Sequence, residues 1–388
     1  METFQKMSSR MYKSIYAFCL TAVILSCQPA HSTGTTNENP PVKEQNIMIA
    51  LLLDTSNSMD GLIEQAKSQL WKIVNELATA KCSDGAKPSI KIALYEYGND
   101  RLTSSEGYIR QVSGLTSDLD LISERLFSLT TNGGNEFCGH VIKTSLQQLE
   151  WSASDADLKM IFIAGNEPFT QGEVGYRYAC SLAKERGVIV NTIYCGEFSE
   201  GVSTQWKAGA DLSGGTYMSI QQNTRTVYVP SPYDDQIDAL NTRLNNTYVY
   251  YGLSGASKKA MQATQDKNAE SYGTANKVDR AVSKSTHVYK NESWDLVDAA
   301  RENEKVIEST SDDQLPQEMK GMTGEQRKEY VDKKAKERAQ IQSEIQALNK
   351  KRQQYIAENK PKDSNESMLD DAMIKAIKTK AKEKKLDW

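Results

Sequence analysis

The chain is 388 residues long, with a net charge of −4 and charged residues making up 25% of the total. That length exceeds the usual single domain and predicts one large domain with an extension, or two domains. The near-balanced charge excludes a nucleic-acid footprint spread over the whole chain, and no nucleic-acid partner is expected.

The N-terminus reads as a targeting segment. Lys6, Arg10 and Lys13 form a basic region, and residues 15–25 form an apolar stretch too short to span a membrane comfortably. It ends Val23-Ile24-Leu25-Ser26-Cys27, which resembles the lipobox of bacterial lipoproteins. The resemblance implies that residues 1–26 are a signal peptide and that Cys27 becomes a lipidated N-terminus. Acyl chains at about 0.8 kcal/mol per buried methylene would then anchor the protein to a membrane without a transmembrane helix. The plainer alternative is a cleaved signal with an incidental cysteine. Residues 27–45, rich in Thr, Asn and Pro, read as a flexible tether. The expected location is a bacterial cell envelope, facing periplasm or exterior. That compartment is oxidising, and beyond Cys19 and Cys27 the chain carries Cys82, Cys138, Cys180 and Cys195. Sequence alone does not choose how these would pair.

From residue 47 to about 220, strands and helices alternate, which predicts a doubly wound α/β domain over residues 46–231. Residues 47–53 are an unbroken apolar run, the mark of a strand buried on both faces. Residues 61–80 form a helix with Leu62, Ala66, Leu70, Ile73, Val74 and Leu77 on one stripe. Strands follow at 90–97 and, on the antiparallel edge, at 108–112; helices are expected at 118–129 and 138–151. Core strands at 159–164 and 188–194 flank a helix at 176–186. A helix at 203–212 and a strand at 216–220 close the sheet.

Residues 232–388 change character and predict an all-helical, charged extension. Helices are expected at 235–251, onward to about 285, and at 294–307, with few core residues. Residues 322–359 read as one long charged helix. Ile341, Ile345, Leu348 and Tyr355 fit a heptad, but Arg338 and Arg352 fall on the seam, so a short coiled coil at most is expected and most of the helix reads as a solvated arm. A last amphipathic helix covers 368–385.

The chemistry concentrates where the first strand ends, in Asp54-Thr55-Ser56-Asn57-Ser58. Open α/β sheets place ligands at the carboxyl ends of their strands, and Asp and Ser offer the hard oxygens that Mg²⁺ accepts. This D-x-S-x-S pattern, in this position, resembles the metal-ion-dependent adhesion site of von Willebrand factor type A domains. The resemblance implies a six-stranded, mostly parallel sheet, a divalent cation (Mg²⁺, or Mn²⁺ or Ca²⁺) on Asp54, Ser56 and Ser58, and a protein partner that supplies an acidic residue. Two further loops depart from the family. Thr131-Asn132-Gly133-Gly134-Asn135-Glu136 has Asn135 in place of the family's Thr, with Glu136 beside it. Ala164-Gly165-Asn166-Glu167-Pro168 has Gly165 in place of its Asp, with Asn166 or Glu167 to compensate. The bland account is an Asp capping the next helix, serines bonding locally, and Glu136 favouring a helix dipole. Both a loaded and a metal-free site stay open.

The same layout places Cys138, Cys180 and Cys195 near this rim. A Cys180–Cys195 bridge is the expected disulfide, with Cys138–Cys195 and Cys138–Cys180 as alternatives. Catalysis is not expected. His140 reads as a packing residue, no Ser/His/Asp set or phosphate loop is visible, and Ser56 stands where a D-x-D phosphatase needs its second carboxylate. The expectation is a membrane-anchored binding module; the alternative is a metal-independent envelope scaffold assembled through the helical region.

Overall fold

The computed structural model describes residues 45–224, 228–359 and 368–388. The signal peptide, Cys27 and nearly all of the tether lie outside the described residues.

The unbroken apolar run becomes β1 (Asn46–Asp54), at the heart of a six-stranded sheet. After it come α1 (Asp60–Leu77), the two-residue β2 (Lys81–Cys82), β3 (Ser89–Tyr97), β4 (Ile109–Thr116), α2 (Leu119–Phe127) and α3 (Cys138–Gln148). Then follow β5 (Leu158–Gly165), α4 (Tyr176–Glu185), β6 (Ile189–Cys195), α5 (Phe198–Ser203), α6 (Trp206–Ser213) and β7 (Tyr217–Ile220). The sheet order is β4-β3-β1-β5-β6-β7, with only β4 antiparallel. Strand order reverses at β1, which leaves a crevice at its carboxyl end.

Because successive strand residues face opposite ways, β1 feeds two cores. Ile47, Ile49, Leu51 and Leu53 join the layer under α1 and α2, while Ala50 and Leu52 join the layer under α3, α4 and α6. Both faces are sealed, so the open end of the sheet is where function can sit.

The helical region holds α7 (Asp234–Asn245), α8 (Gly255–Ser271), α9 (Thr274–Lys284), α10 (Leu296–Glu302), α11 (Lys305–Ser309), α12 (Gly324–Asn359) and α13 (Leu369–Ala381), then β8 (Leu386–Asp387). Two expectations are corrected here. This region is rich in core residues: Val278, Ala281 and Ile377 on the helices, and Tyr248 and Trp294 between them, are buried in the same layer as α1. Nor is α12 a solvated arm, for Ile341, Ile345, Arg338 and Arg352 are all buried against its neighbours. An arginine on the seam looks like a break only if it must stay in water. Here Arg338 donates to Asp295 at 2.6 Å and Asp298 at 2.8 Å, and Arg352 to Asp234 at 2.9 Å and Asp279 at 2.8 Å. Paired on two sides, the guanidinium can leave water. Residues 45 to 388 thus belong to one compact unit, with α13 packed on α1 and laid over β5 and β7.

The expected Cys180–Cys195 bridge is not formed; Cys138, Cys180 and Cys195 are thiols. Cys195 points into the α1 layer and Cys180 into the α3–α4 layer, so the sheet itself stands between them.

Candidate metal site

Asp54 is the last residue of β1 and is fully buried. Its Oδ1 accepts the backbone N–H of Ser56 at 2.7 Å, while its Oδ2 has no hydrogen-bond partner. A buried carboxylate oxygen left unpaired costs heavily, so this atom calls for a ligand or a proton. The chain then turns, and Ser56 Oγ lies 3.4 Å from Ser58 Oγ. Ser58 is exposed and meets the side chain of Asn166 at 3.2–3.3 Å. Asp54, Ser56, Ser58 and Asn166 therefore line one side of a single spot at the sheet's end.

The second loop is clamped against this turn. The N–H of Asn132 donates to the Thr55 carbonyl at 3.0 Å, and the N–H of Glu136 donates to Gln171 Oε1 at 2.7 Å. Gly98 makes the approach possible. Its φ is +79°, and a Cβ there would fall 2.8 Å from Asp54 Oδ1 and 2.9 Å from Glu136 Cγ. Glycine alone lets the two carboxylates close in on each other. Glu136 is 5% exposed, and Ser56 favours its ionised form, whereas Asn135 lies at the exposed rim. Glu167 is half-buried on the third loop; its backbone carbonyl accepts Trp206 Nε1–H at 2.8 Å.

Electrostatics mark the spot as short of positive charge. Burial pushes Asp54 up to about 8, against the opposing pull of Ser56, and the charges acting on it most, Glu136 and Glu167, push the same way. Burial likewise raises Glu136 to about 7, helped by Glu167. Among the described residues no three His, Cys, Asp or Glu side chains gather tightly enough to hold a metal by themselves. The donor set is instead mixed: a buried carboxylate with a spare oxygen, two hydroxyls, an amide and a second carboxylate. Such hard oxygens, some reached through water, suit Mg²⁺ or Mn²⁺.

Gly165, at the position where the resembled family carries Asp, is explained by Tyr97. A Cβ on Gly165 would lie 2.6 Å from the Tyr97 hydroxyl and 3.0 Å from Asp54 Oδ2. The buried Tyr97 ring occupies that volume and donates its O–H to the Ala164 carbonyl at 3.0 Å. No side chain fits at 165, while Glu136, on another loop, lies buried close to Asp54 across Gly98. No metal-ligand pattern in the sequence marks Tyr97 or Gln171; the Tyr97-Gly98 pair at a strand end is the signal it carries.

The neighbouring thiols are not poised for chemistry. Burial raises Cys180 up to about 12 and Cys138 and Cys195 still further, so none is a ready thiolate. Burial lowers His140, whose ring packs beside Gly107.

No protein-family model and no curated protein matches the chain. Several solved structures are similar to it in fold. One is the conserved hypothetical protein BatB of Bacteroides thetaiotaomicron, 16% identical with a TM-score of 0.34, over 45% of this chain and 90% of that one. Another is the VWA domain of SpRpn10, 18% identical with a TM-score of 0.34, over 45% and 87%. The vWF domain of the type V pilus tip protein Mfa5 of Porphyromonas gingivalis is 12% identical with a TM-score of 0.33, over 45% and 90%. The six-stranded, mostly parallel sheet with flanking helices is the architecture that the type A resemblance implies.

Proposed function

We propose that this chain is a lipid-anchored envelope protein that binds a protein partner at the carboxyl end of its sheet, through a divalent cation held by Asp54, Ser56, Ser58 and Glu136. One observation carries the reading: the Asp54 carboxylate is fully buried, one of its oxygens is unpaired, and the nearest charges are anionic. Pairing with a cation is what relieves a buried, uncompensated carboxylate. A bound cation would supply an open coordination position for a carboxylate oxygen of the partner. The chain's own residues do the rest. Asp54 and Glu136 set the charge, Ser56 and Ser58 point hydroxyls at the same spot, and Gly98 keeps the floor thin enough for both carboxylates to approach.

The rim narrows the partner. Asp60, Asp100, Glu173, Glu197 and Glu200 are exposed around the site, with Arg101 among them. An acidic ligand side chain must therefore come flanked by basic residues to be accepted. The reading is one of binding, not catalysis, since the thiols are held protonated and His140 is turned to packing.

Calorimetric titration of Mn²⁺ and Mg²⁺ into wild type and Asp54→Asn tests it. Saturable binding to one site in wild type, lost in the variant, is the expected result. Absence of binding in both, or equal binding in both, overturns it.

A further inference from the structure

The molecule has two electrically opposite poles. The carboxyl end of the sheet carries the exposed acids just named, around Glu167 and Glu136. The other end gathers the first described residue, the end of α1, and the C-terminus. Gln45 Nε2 donates to the carbonyls of Ala156 and Lys384, and Lys384 Nζ donates to the Asp155 carbonyl at 2.7 Å. Lys378 pairs with Glu76 near the end of α1, and β8 pairs with β2 through Lys81 opposite Asp387. This base presents Lys81, Lys87, Lys375, Lys382, Lys384 and Lys385, four of them on the last helix and the turn after it. On α13, the turn after it and β2 the exposed counter-charges are fewer: Asp84 on the loop after β2 and Asp387, with Glu383 paired with Lys380 at 2.9 Å; Asp155, Glu150 and Glu185 lie together on the neighbouring loops.

The place where the described chain starts gives this surface its neighbour. Gln45, the first described residue, lies at this pole, and Cys27 is 18 residues before it in the sequence. A lipid on Cys27 would tether the body through its basic pole.

We propose that the lysine-rich base formed by α13, the turn after it and β2 is a membrane-docking surface for anionic lipid headgroups. It acts as a second signal beside the lipid and turns the acidic recognition rim away from the membrane. Each Lys near an anionic surface adds attraction to whatever the acyl chains supply. The acidic rim adds to the orientation, because an anionic surface repels it. Only the orientation rests on the lipid-anchor reading; the patch itself can be tested without the lipid.

The compact body from residue 44 to 388, which lacks both lipid and tether, is mixed with sedimenting vesicles of phosphatidylglycerol or of phosphatidylcholine. Expected is binding to the anionic vesicles at low salt that falls steeply as salt rises, and none to the zwitterionic ones. The triple variant Lys375→Gln, Lys382→Gln, Lys385→Gln, all at exposed positions, should weaken that binding by about tenfold or more with an unchanged Tm. Equal binding to both vesicles, no binding to anionic vesicles at low salt, or indifference to the triple variant overturns the proposal. Should that variant melt early, the salt dependence of the wild type alone decides. Intact mass of the exported protein without acyl groups on Cys27 would sink the anchor reading and leave the vesicle result standing.

Discussion

Buried carboxylates occur in two parts of this molecule and are treated in opposite ways. Where the helical half packs, within itself and against α1 and α2, each has a cation built in. Asp120 accepts from Arg280 at 2.8 Å and from the Tyr289 hydroxyl at 2.6 Å, Asp295 from Arg338, and Asp234 from Arg352. Arg280 and Arg338 also lie over the rings of Trp71 and Tyr248, at 4.6 Å and 4.1 Å. Lys284 and Arg280 hold Asp266 well below the usual carboxylate range in spite of its burial. At the sheet's carboxyl end the sign is reversed. Asp54 and Glu136 are as buried, yet their strongest charged neighbours are anionic and both are driven upward. A charge compensated from within is architecture; a charge left uncompensated is an invitation to a ligand.

The largest effect should come from breaking a compensated pair. Arg338→Met leaves Asp295, fully buried, facing no guanidinium, and should cost about 3–5 kcal/mol in urea unfolding. A loss below about 1 kcal/mol would show that the helical networks are not compensated in the sense argued here. The mirror experiment is Asp54→Asn, which removes an uncompensated charge. Metal-free protein at pH 8 should gain on the order of 2–4 kcal/mol, while Mn²⁺ binding disappears. Destabilisation by that substitution would erase the contrast between the two regions.

The same contrast has a pH signature. Asp54 rises from 3.8 to about 8 and Glu136 from 4.5 to about 7 on folding, so the folded state holds their protons more tightly than the unfolded chain. Their contribution to stability is therefore full below about pH 4 and is lost progressively as pH climbs towards 8. Melting in EDTA across pH 5 to 8 should show a falling Tm that Asp54→Asn flattens. A cation displaces those protons, so Mn²⁺ affinity should tighten over the same window. A pH-independent affinity between 6 and 8 would mean that the carboxylates are already ionised without metal.

Much of this was legible in the sequence, for physical reasons that differ by region. The apolar run before Asp54 could only be a doubly buried strand, and the alternation after it fixed a doubly wound sheet; β1, β3, β5 and β6 fall within a residue or two of expectation. Residues Asp54, Ser56 and Ser58 were legible because a local turn brings them together whatever the rest of the chain does. Glu136 over Asn135 was not, because it depends on which way the second loop rolls, and Gly98 and Gln171 decide that from other loops. The burial of α12 was hidden for a related reason. Arg338 and Arg352 look polar in one dimension, and only the distant Asp295 and Asp234 make them core residues. Cys180 and Cys195 illustrate the same limit, since their opposite faces follow from the sheet's pleat and not from their spacing.

The smallest effect separates the two neighbours on the second loop. Glu136 is buried beside Asp54, so Glu136→Gln keeps the shape and removes the charge; it should weaken Mn²⁺ binding by about tenfold, equivalent to about 1.4 kcal/mol. Asn135 sits at the rim, and Asn135→Ala should change the same constant by less than about twofold, within what a solvated, replaceable ligand contributes. Calorimetric titration of both variants side by side ranks them. If Asn135→Ala proved the more damaging, the second loop would have to turn over on loading to bring its amide inward. The buried carboxylate that marks this pole as uncompensated would then be a feature of the empty site alone.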